Sequence, residues 1–274
     1  MIELPEAVNL AKQLRDNIAG KRVAAVRPPS KQHKFCWFNG DPADYDKGLR
    51  GTVAVTAESF GIFAEIVFDN GKKLCVNDGV NMRLVAVGDA PASYQLLIEF
   101  TDGMALAFTV AMYGGIVLHD GNYDNEYYLK SKNAVDVFGD GFDGYFRKLL
   151  AAGKPTLSAK AFLATEQRFP GLGNGVLQDI LLAAGIQPKR KIATLTEFEK
   201  EELLYCVKAV LGDMTDKGGR DTEKDIFGRE GGYKTRLSQK TLAGGCPLCG
   251  GGIVKEPYLG GSVYYCPSCQ ALEK

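Results

Sequence analysis

The chain contains no run of about 18 apolar residues, the length a helix needs to cross a bilayer, so no membrane span is expected. It also lacks a signal-type start. Met1-Ile2-Glu3-Leu4-Pro5-Glu6 is acidic and holds no apolar block, which points to a cytoplasmic protein. Histidine is scarce. His33 and His119 are the only two, and neither has a cysteine or carboxylate nearby at ligand spacing, so no histidine-based metal centre is expected. Net charge is absent as well, with 33 basic against 33 acidic residues. That balance conceals a gradient. Residues 39–145 carry seven basic and sixteen acidic residues, whereas 146–240 carry seventeen basic and twelve acidic. A basic middle segment is compatible with a nucleic-acid partner, and equally with an ordinary solvated charge pattern.

What is present is concentrated in the tail. Cys246-Pro247-Leu248-Cys249 and Cys266-Pro267-Ser268-Cys269 are two Cys-x2-Cys pairs separated by sixteen residues. Each such turn aims two sulfurs at one point, and a hairpin between the pairs closes a tetrahedron. Gly250-Gly251-Gly252-Ile253-Val254 and Tyr258 to Tyr265 read as turn, strand, turn, strand. We therefore expect a zinc ribbon holding one structural Zn2+ on Cys246, Cys249, Cys266 and Cys269. Two disulfides, or four unrelated thiols, are the alternative. The other thiols, Cys36, Cys75 and Cys206, are scattered singly, and the odd total of seven fits a reducing compartment.

A chain of 274 residues that is 45% hydrophobic is long enough for two cores besides the ribbon. Residues 5–19 have a helical apolar period that ends at Gly20. From Lys21 to about Leu118 the pattern turns to strands, among them Arg22–Val26, Gly51–Val55, Ile62–Phe68 and Leu96–Phe100. Asp69-Asn70-Gly71 and Thr101-Asp102-Gly103 read as hairpin turns. Helical periods return at 146–151, 158–166, 175–184 and 196–211, with Thr194 and Thr196 as candidate N-caps. The expected architecture is α+β and multidomain: an N-terminal β-sandwich with a leading helix over 1–121, a polar linker over 122–145, a helical domain over 146–240 whose last part is a flexible loop, and a zinc ribbon over 241–274.

One turn carries chemistry by composition. Phe169-Pro170-Gly171-Leu172-Gly173-Asn174-Gly175 precedes a helix. Its glycines let backbone approach closely, and free N–H groups at a helix start favour an anion. Lys160, Gly173, Asn174 and Gly175 are thus candidates for a phosphate seat, against the plainer reading of an ordinary helix–helix turn. Ser30-Lys31-Gln32-His33-Lys34-Phe35-Cys36-Trp37-Phe38 mixes basic and aromatic residues, either to stack on a nucleotide or to anchor the core.

Three segments in order resemble the formamidopyrimidine-DNA glycosylase / endonuclease VIII family: Glu3-Leu4-Pro5-Glu6-Ala7, the Phe169–Gly175 turn followed by Ala184-Gly185-Ile186-Gln187-Pro188, and the four-Cys ribbon. The resemblance implies a helix–two-turn–helix DNA-binding domain, with Lys160 and Asn174 on phosphate and the loop Gly231-Gly232-Tyr233-Lys234 as a base-capping loop. It also implies a damaged or abasic duplex as partner, bound by a monomer, with structured RNA or a protein complex as the alternative. Members of this family attack the sugar C1′ with the amine of an N-terminal proline while a neighbouring glutamate shuttles protons. Here Ile2 stands in place of that proline and Glu3 matches the glutamate. Gly61 aligns with the family's lysine, Asn77-Asp78-Gly79 with its His-Leu-Gly, Met112 with its base-replacing arginine, and Gly261 with the arginine of its ribbon. Met112 remains as a wedge between bases. The expectation is a DNA-binding repair protein whose glycosylase activity is lost or much reduced. The alternative is a working glycosylase and lyase using the Met1 amine, Lys34 or Lys72, with Glu3. Glu3 also has a plainer role available, complementing the dipole of its own helix.

Overall fold

The structure is a computed structural model and describes residues 1–272. It opens with helix α1 (Leu4–Ile18), followed by β1 (Val23–Arg27), β2 (Cys36–Trp37), α2 (Tyr45–Leu49), β3 (Ala54–Phe60), β4 (Phe63–Phe68), β5 (Lys73–Val76), β6 (Val80–Ala86), β7 (Leu96–Phe100), β8 (Met104–Val110) and β9 (Gly114–His119). Two sheets form, in the orders β1-β7-β8-β6 and β2-β9-β5-β4-β3. Their inward faces share one core with α1, in which Leu14, Ala57, Leu96, Leu106 and Ile116 are fully buried. This is the expected sandwich with its leading helix. Gly71 and Gly103, at φ 81° and 82°, turn the β4–β5 and β7–β8 hairpins, a backbone region that favours glycine.

The second core is helical: α4 (Phe142–Ala152), α5 (Ala159–Ala164), α6 (Asn174–Ala183) and α7 (Glu197–Asp216). Thr196, not Thr194, caps α7, in a reciprocal box with Glu199. α1 belongs to both cores. Leu4 packs among the helices, whereas Ile2, Ala7, Leu10, Leu14 and Ile18 pack in the sandwich. The amino terminus is therefore set at the junction between them.

The stretch 122–145 is more than a tether. It contains α3 (Glu126–Lys132), capped by Asn125, and Tyr128 of that helix is buried against the sheet. Tyr128 docks there on a network that the sequence spacing does not reveal. Strand pairing brings Glu65, Cys75 and His119 together in the interior. Glu65 is fully buried and accepts from Tyr128 Oη at 2.6 Å and Lys132 Nζ at 3.1 Å, with His119 Nε2 at 3.1 Å. Burial works to raise this carboxyl, but the bonds from His119, Tyr128 and Lys132 outweigh it and hold the pKa down to about 2. A carboxylate depressed by folding adds stability above its ordinary pKa and loses it as pH falls through the folded value. We expect Glu65 to contribute ~3 kcal/mol at neutral pH that disappears between about pH 4.5 and 2. Urea unfolding of wild type and Glu65→Gln across that range checks this. The acid-side loss should be steep in wild type and flat in the variant.

After α7, residues 217–244 are knit to the two cores. Asn9 Nδ2 donates to Gly218 O, Gln13 Nε2 to Asp225 Oδ2, and Asp179 accepts the N–H groups of Arg236 and Leu237. The chain ends in the hairpin β10 (Val254–Tyr258) and β11 (Gly261–Tyr265). Among the described residues no helix is long and apolar enough to cross a membrane.

Candidate functional site

At the start of α1, Glu6 folds its carboxylate back to accept from the Glu3 amide at 3.1 Å. Glu3 is the N-cap residue of α1, in a reciprocal box with Glu6, and it also reaches a second helix. Its carboxylate crosses to the start of α6, where Oε1 accepts from Gly175 N at 2.8 Å and Oε2 from Val176 N at 2.7 Å. Two of the unpaired N–H groups with which that helix begins are thereby satisfied. The glycines of the Phe169–Gly175 turn make room for this chain's own atoms. A side chain at Gly173 would press on the Glu3 carboxylate, one at Gly175 would collide with Arg220, and Gly171, at φ 95°, faces Leu4 and Gly61. The site that composition suggests for a phosphate is in large part filled by a glutamate.

Arg220 completes the arrangement. Its guanidinium donates to Glu6 Oε1 at 3.0 Å and Oε2 at 2.7 Å and to Met1 O at 3.2 Å, and lies 3.4 Å from Glu3 Oε2. All three side chains are buried. Burial works against the charge on Arg220, but Glu3 and Glu6 hold its pKa well above the usual value. Burial pushes Glu3 up, with Arg220 and the two α6 amides opposing. The α-amino group of Met1 pairs with Glu223 Oε2 at 2.5 Å. Ile2 is buried in the sandwich core and donates its N–H to Asp78 O at 2.6 Å. Burial lifts the Asp78 carboxyl to about 6, against the pull of the neighbouring α-amino group.

These groups line a cleft of about 580 Å³ between the sandwich, the helices and the ribbon. Met1, Glu3, Met112, Gly173, Asn174 and Gly175 all reach it. Met112 is held at φ 66° with its side chain 70% exposed. Lys160 stands behind Asn174, buried, with Nζ donating to Asn174 Oδ1 at 2.8 Å and Tyr258 O at 2.6 Å. Burial lowers its pKa. Asn174 in turn donates to Ser262 O at 2.8 Å. Lys160 and Asn174 thus bind the ribbon hairpin to α6. Tyr233 and Lys234 do not line the cleft: Tyr233 is packed in the helical core, and Lys234 is exposed near Asp221. Lys34 and Lys72 are likewise outside it. At Gly61, φ 55°, any side chain would press on Pro170 and Ser131. Composition did not single out Arg220, Glu223 or Tyr127 as cleft residues, and no local motif marks them. Asp78 is marked in the sequence only by its alignment with the family's His-Leu-Gly turn.

The four tail cysteines converge. All four sulfurs lie within 4.8 Å of one another, with Cys246–Cys269 at 3.8 Å and Cys249–Cys266 at 3.5 Å. These separations are too long for disulfides, whose sulfurs stand at about 2.05 Å, and match the ~3.8 Å edge of a tetrahedron of thiolates at ~2.3 Å from one ion. The donor set fits a closed metal site. The ribbon also seats on α6, where Gln178 bonds Ser262 O and Tyr264 N, and Leu182 packs beside Cys246 and Cys266.

Comparison with known proteins extends over nearly the whole chain. It is 27% identical to a formamidopyrimidine-DNA glycosylase of Halorhodospira halophila over 276 residues, covering 98% of this chain and all of that protein. It is 28% identical to one from Pseudomonas fluorescens over 281 residues, 99% of this chain and all of the other. The fold superposes on Lactococcus lactis Fpg in complex with abasic-site DNA at a TM-score of 0.81, with 22% identity, over 98% of this chain and 99% of that one. The chain is thus similar over nearly its whole length to formamidopyrimidine-DNA glycosylases, and it shares the fold of Lactococcus lactis Fpg. No family model matches it. The first residue after Met1 in this chain is isoleucine.

Proposed function

We propose that the protein binds damaged or abasic DNA across this cleft and that its glycosylase step is lost or much reduced, with Zn2+ held by Cys246, Cys249, Cys266 and Cys269. The named relatives are glycosylases, and the superposed structures include Lactococcus lactis Fpg with abasic DNA and with Fapy-dG-containing DNA. Zn2+ would act as a folding staple and take no part in reaction. The observation that carries the loss of chemistry is at Ile2. Where the family resemblance places a proline amine, this chain has a peptide N–H engaged with Asp78 O and a side chain locked in the core. The amine that remains, one residue away, is held as an ion pair with Glu223. One residue of displacement is about 3.5 Å, beyond the ~1 Å that covalent catalysis tolerates.

A second reading has one observation in its favour, that the Met1 amine and Glu3 line the same cleft. In that reading the neutral amine adds to C1′, the base departs with a proton relayed by Glu3, and the sugar is left as an iminium on Met1. Borohydride reduces an iminium to a stable amine, so the two readings part on one gel. Incubated with an abasic duplex and borohydride, the protein should bind without cross-linking. An adduct that Glu3→Gln abolishes would establish the enzyme instead. Failure to bind abasic duplex even at low salt rejects both. Lys160→Ala and Asn174→Ala should each weaken binding about tenfold, by releasing the ribbon from α6.

A further inference from the structure

β2 is the edge strand of the five-stranded sheet, paired only with β9, and its residues alternate. Cys36 and Phe38 turn inward onto the sandwich core. Phe35 and Trp37 turn outward, 48% and 53% exposed. A soluble edge strand ordinarily carries charge there. Trp37 meets Tyr113 at a ring-centroid distance of 6.1 Å, and Tyr113 is followed at the cleft mouth by Met112. Trp37, Tyr113 and Met112 form an apolar path that leads out of the cleft, and exposed Phe35 stands two residues before Trp37 on the same edge strand. The surface is rigid. Gly79 exchanges backbone hydrogen bonds with both Ala111 and Tyr113, and Gly114 N donates to Phe35 O, so the turn and the strand are fastened together. Its margin is basic: Lys31 and Lys34 are exposed, and Lys34 Nζ sits 5.4 Å from the Phe35 ring centre.

We infer that this surface is a stacking platform for an unpaired DNA base next to the one in the cleft, with Trp37 as its centre. The inference rests on the DNA-binding reading above and adds a substrate class to it: DNA with unpaired bases beside the lesion, such as a bubble or a single-stranded flank, in preference to a fully paired abasic duplex. Three features carry it. Every base offers a π face, and rigid exposed aromatics with flanking lysines bind unpaired strands without sequence readout. The platform is continuous with the cleft through Tyr113 and Met112. Finally, Met112 is held at a positive φ, unusual for a residue with a side chain, and this directs an apolar side chain into solvent at the junction of platform and cleft.

Trp37 is the only tryptophan in the chain, so its fluorescence reports on the platform alone. The test titrates full-length protein with three labelled DNAs: an abasic duplex fully paired elsewhere, the same duplex with unpaired bases flanking the abasic site, and the unpaired strand alone. Anisotropy gives affinity and tryptophan emission gives stacking. The unpaired-flank DNA should quench Trp37 and bind at least fivefold tighter than the paired duplex. Trp37→Ala should lose about tenfold or more of affinity for it and about twofold or less for the paired duplex, and Trp37→Phe should retain most of it. Because the side chain is half exposed, Trp37→Ala should remain folded, and its unfolding midpoint is the control. Binding of the paired duplex without quenching, and with Trp37→Ala equal to wild type, overturns the platform while leaving the cleft reading intact. Quenching by the unpaired strand with no affinity for abasic duplex keeps the platform and rejects the cleft reading. Stronger quenching by the matching RNA, or a Trp37-dependent dimer in sedimentation, overturns the assignment to DNA.

Discussion

Stripping the metal from the tail should unfold the ribbon and reduce DNA affinity more than tenfold. Structural zinc contributes ~10–16 kcal/mol of apparent binding free energy in small thiolate sites, far more than a two-stranded hairpin gains from its own contacts. Here the dependence extends beyond the ribbon. Tyr258 O and Ser262 O are the acceptors that hold Lys160 and Asn174, and both acceptors belong to the hairpin. Without the metal, Lys160 loses a partner while buried, and Asn174 loses the restraint that sets it at the cleft. A chelating dye should detect one zinc per chain. Amide exchange should become fast over 246–269 and quicken at the start of α6, while the sandwich stays protected. Cys266→Ser should reproduce the effect. Retention of slow exchange in the ribbon after quantitative zinc release would reject the staple.

Removing the Arg220 guanidinium should destabilise the protein by ~3–5 kcal/mol, the cost of leaving buried charge without its partner. Arg220→Met keeps the volume of the side chain and deletes the fork that joins Glu6, Glu3 and Met1 O. Glu3 and Glu6 then face each other in the interior. Glu3, which burial and the charge of Glu6 already push up, is relieved by protonation, so stability of the variant should rise as pH falls. The sign follows from linkage: a carboxyl whose folded pKa lies above its unfolded value stabilises the fold most at low pH and loses that contribution as pH rises through the folded value. The deficit relative to wild type should therefore be larger at pH 8 than at pH 5. Arg220→Lys should recover only part of it, since an ammonium cannot supply the bidentate geometry. Urea unfolding at both pH values measures this. A deficit under ~1 kcal/mol, or one independent of pH, would show that Arg220 is not the counter-charge for the pair.

The Cys-x2-Cys pairs, the strand-and-hairpin text, the long helical periods and the glycine turn before α6 were all legible in the residues, because each is a local requirement. Sulfurs in one turn aim at one ion, a two-residue period fits a half-buried strand, and a glycine follows where φ turns positive. What those glycines face was not local. Gly173 and Gly175 read as room for a phosphate, and the fold fills that room with Glu3 and Arg220, which lie far away along the chain. The grouping of Glu65, Cys75 and His119 likewise appears only when β4, β5 and β9 pair. The outward turn of Phe35 and Trp37 depends on which side of β2 the core lies. Sequence alone determined which elements form and that four cysteines converge in a set that fits one metal, since hydrogen bonding and ligand geometry act over a few residues. The tertiary structure decided which carboxylate meets which helix end and where the amino terminus is held, because charge and packing act through space and are blind to distance along the chain.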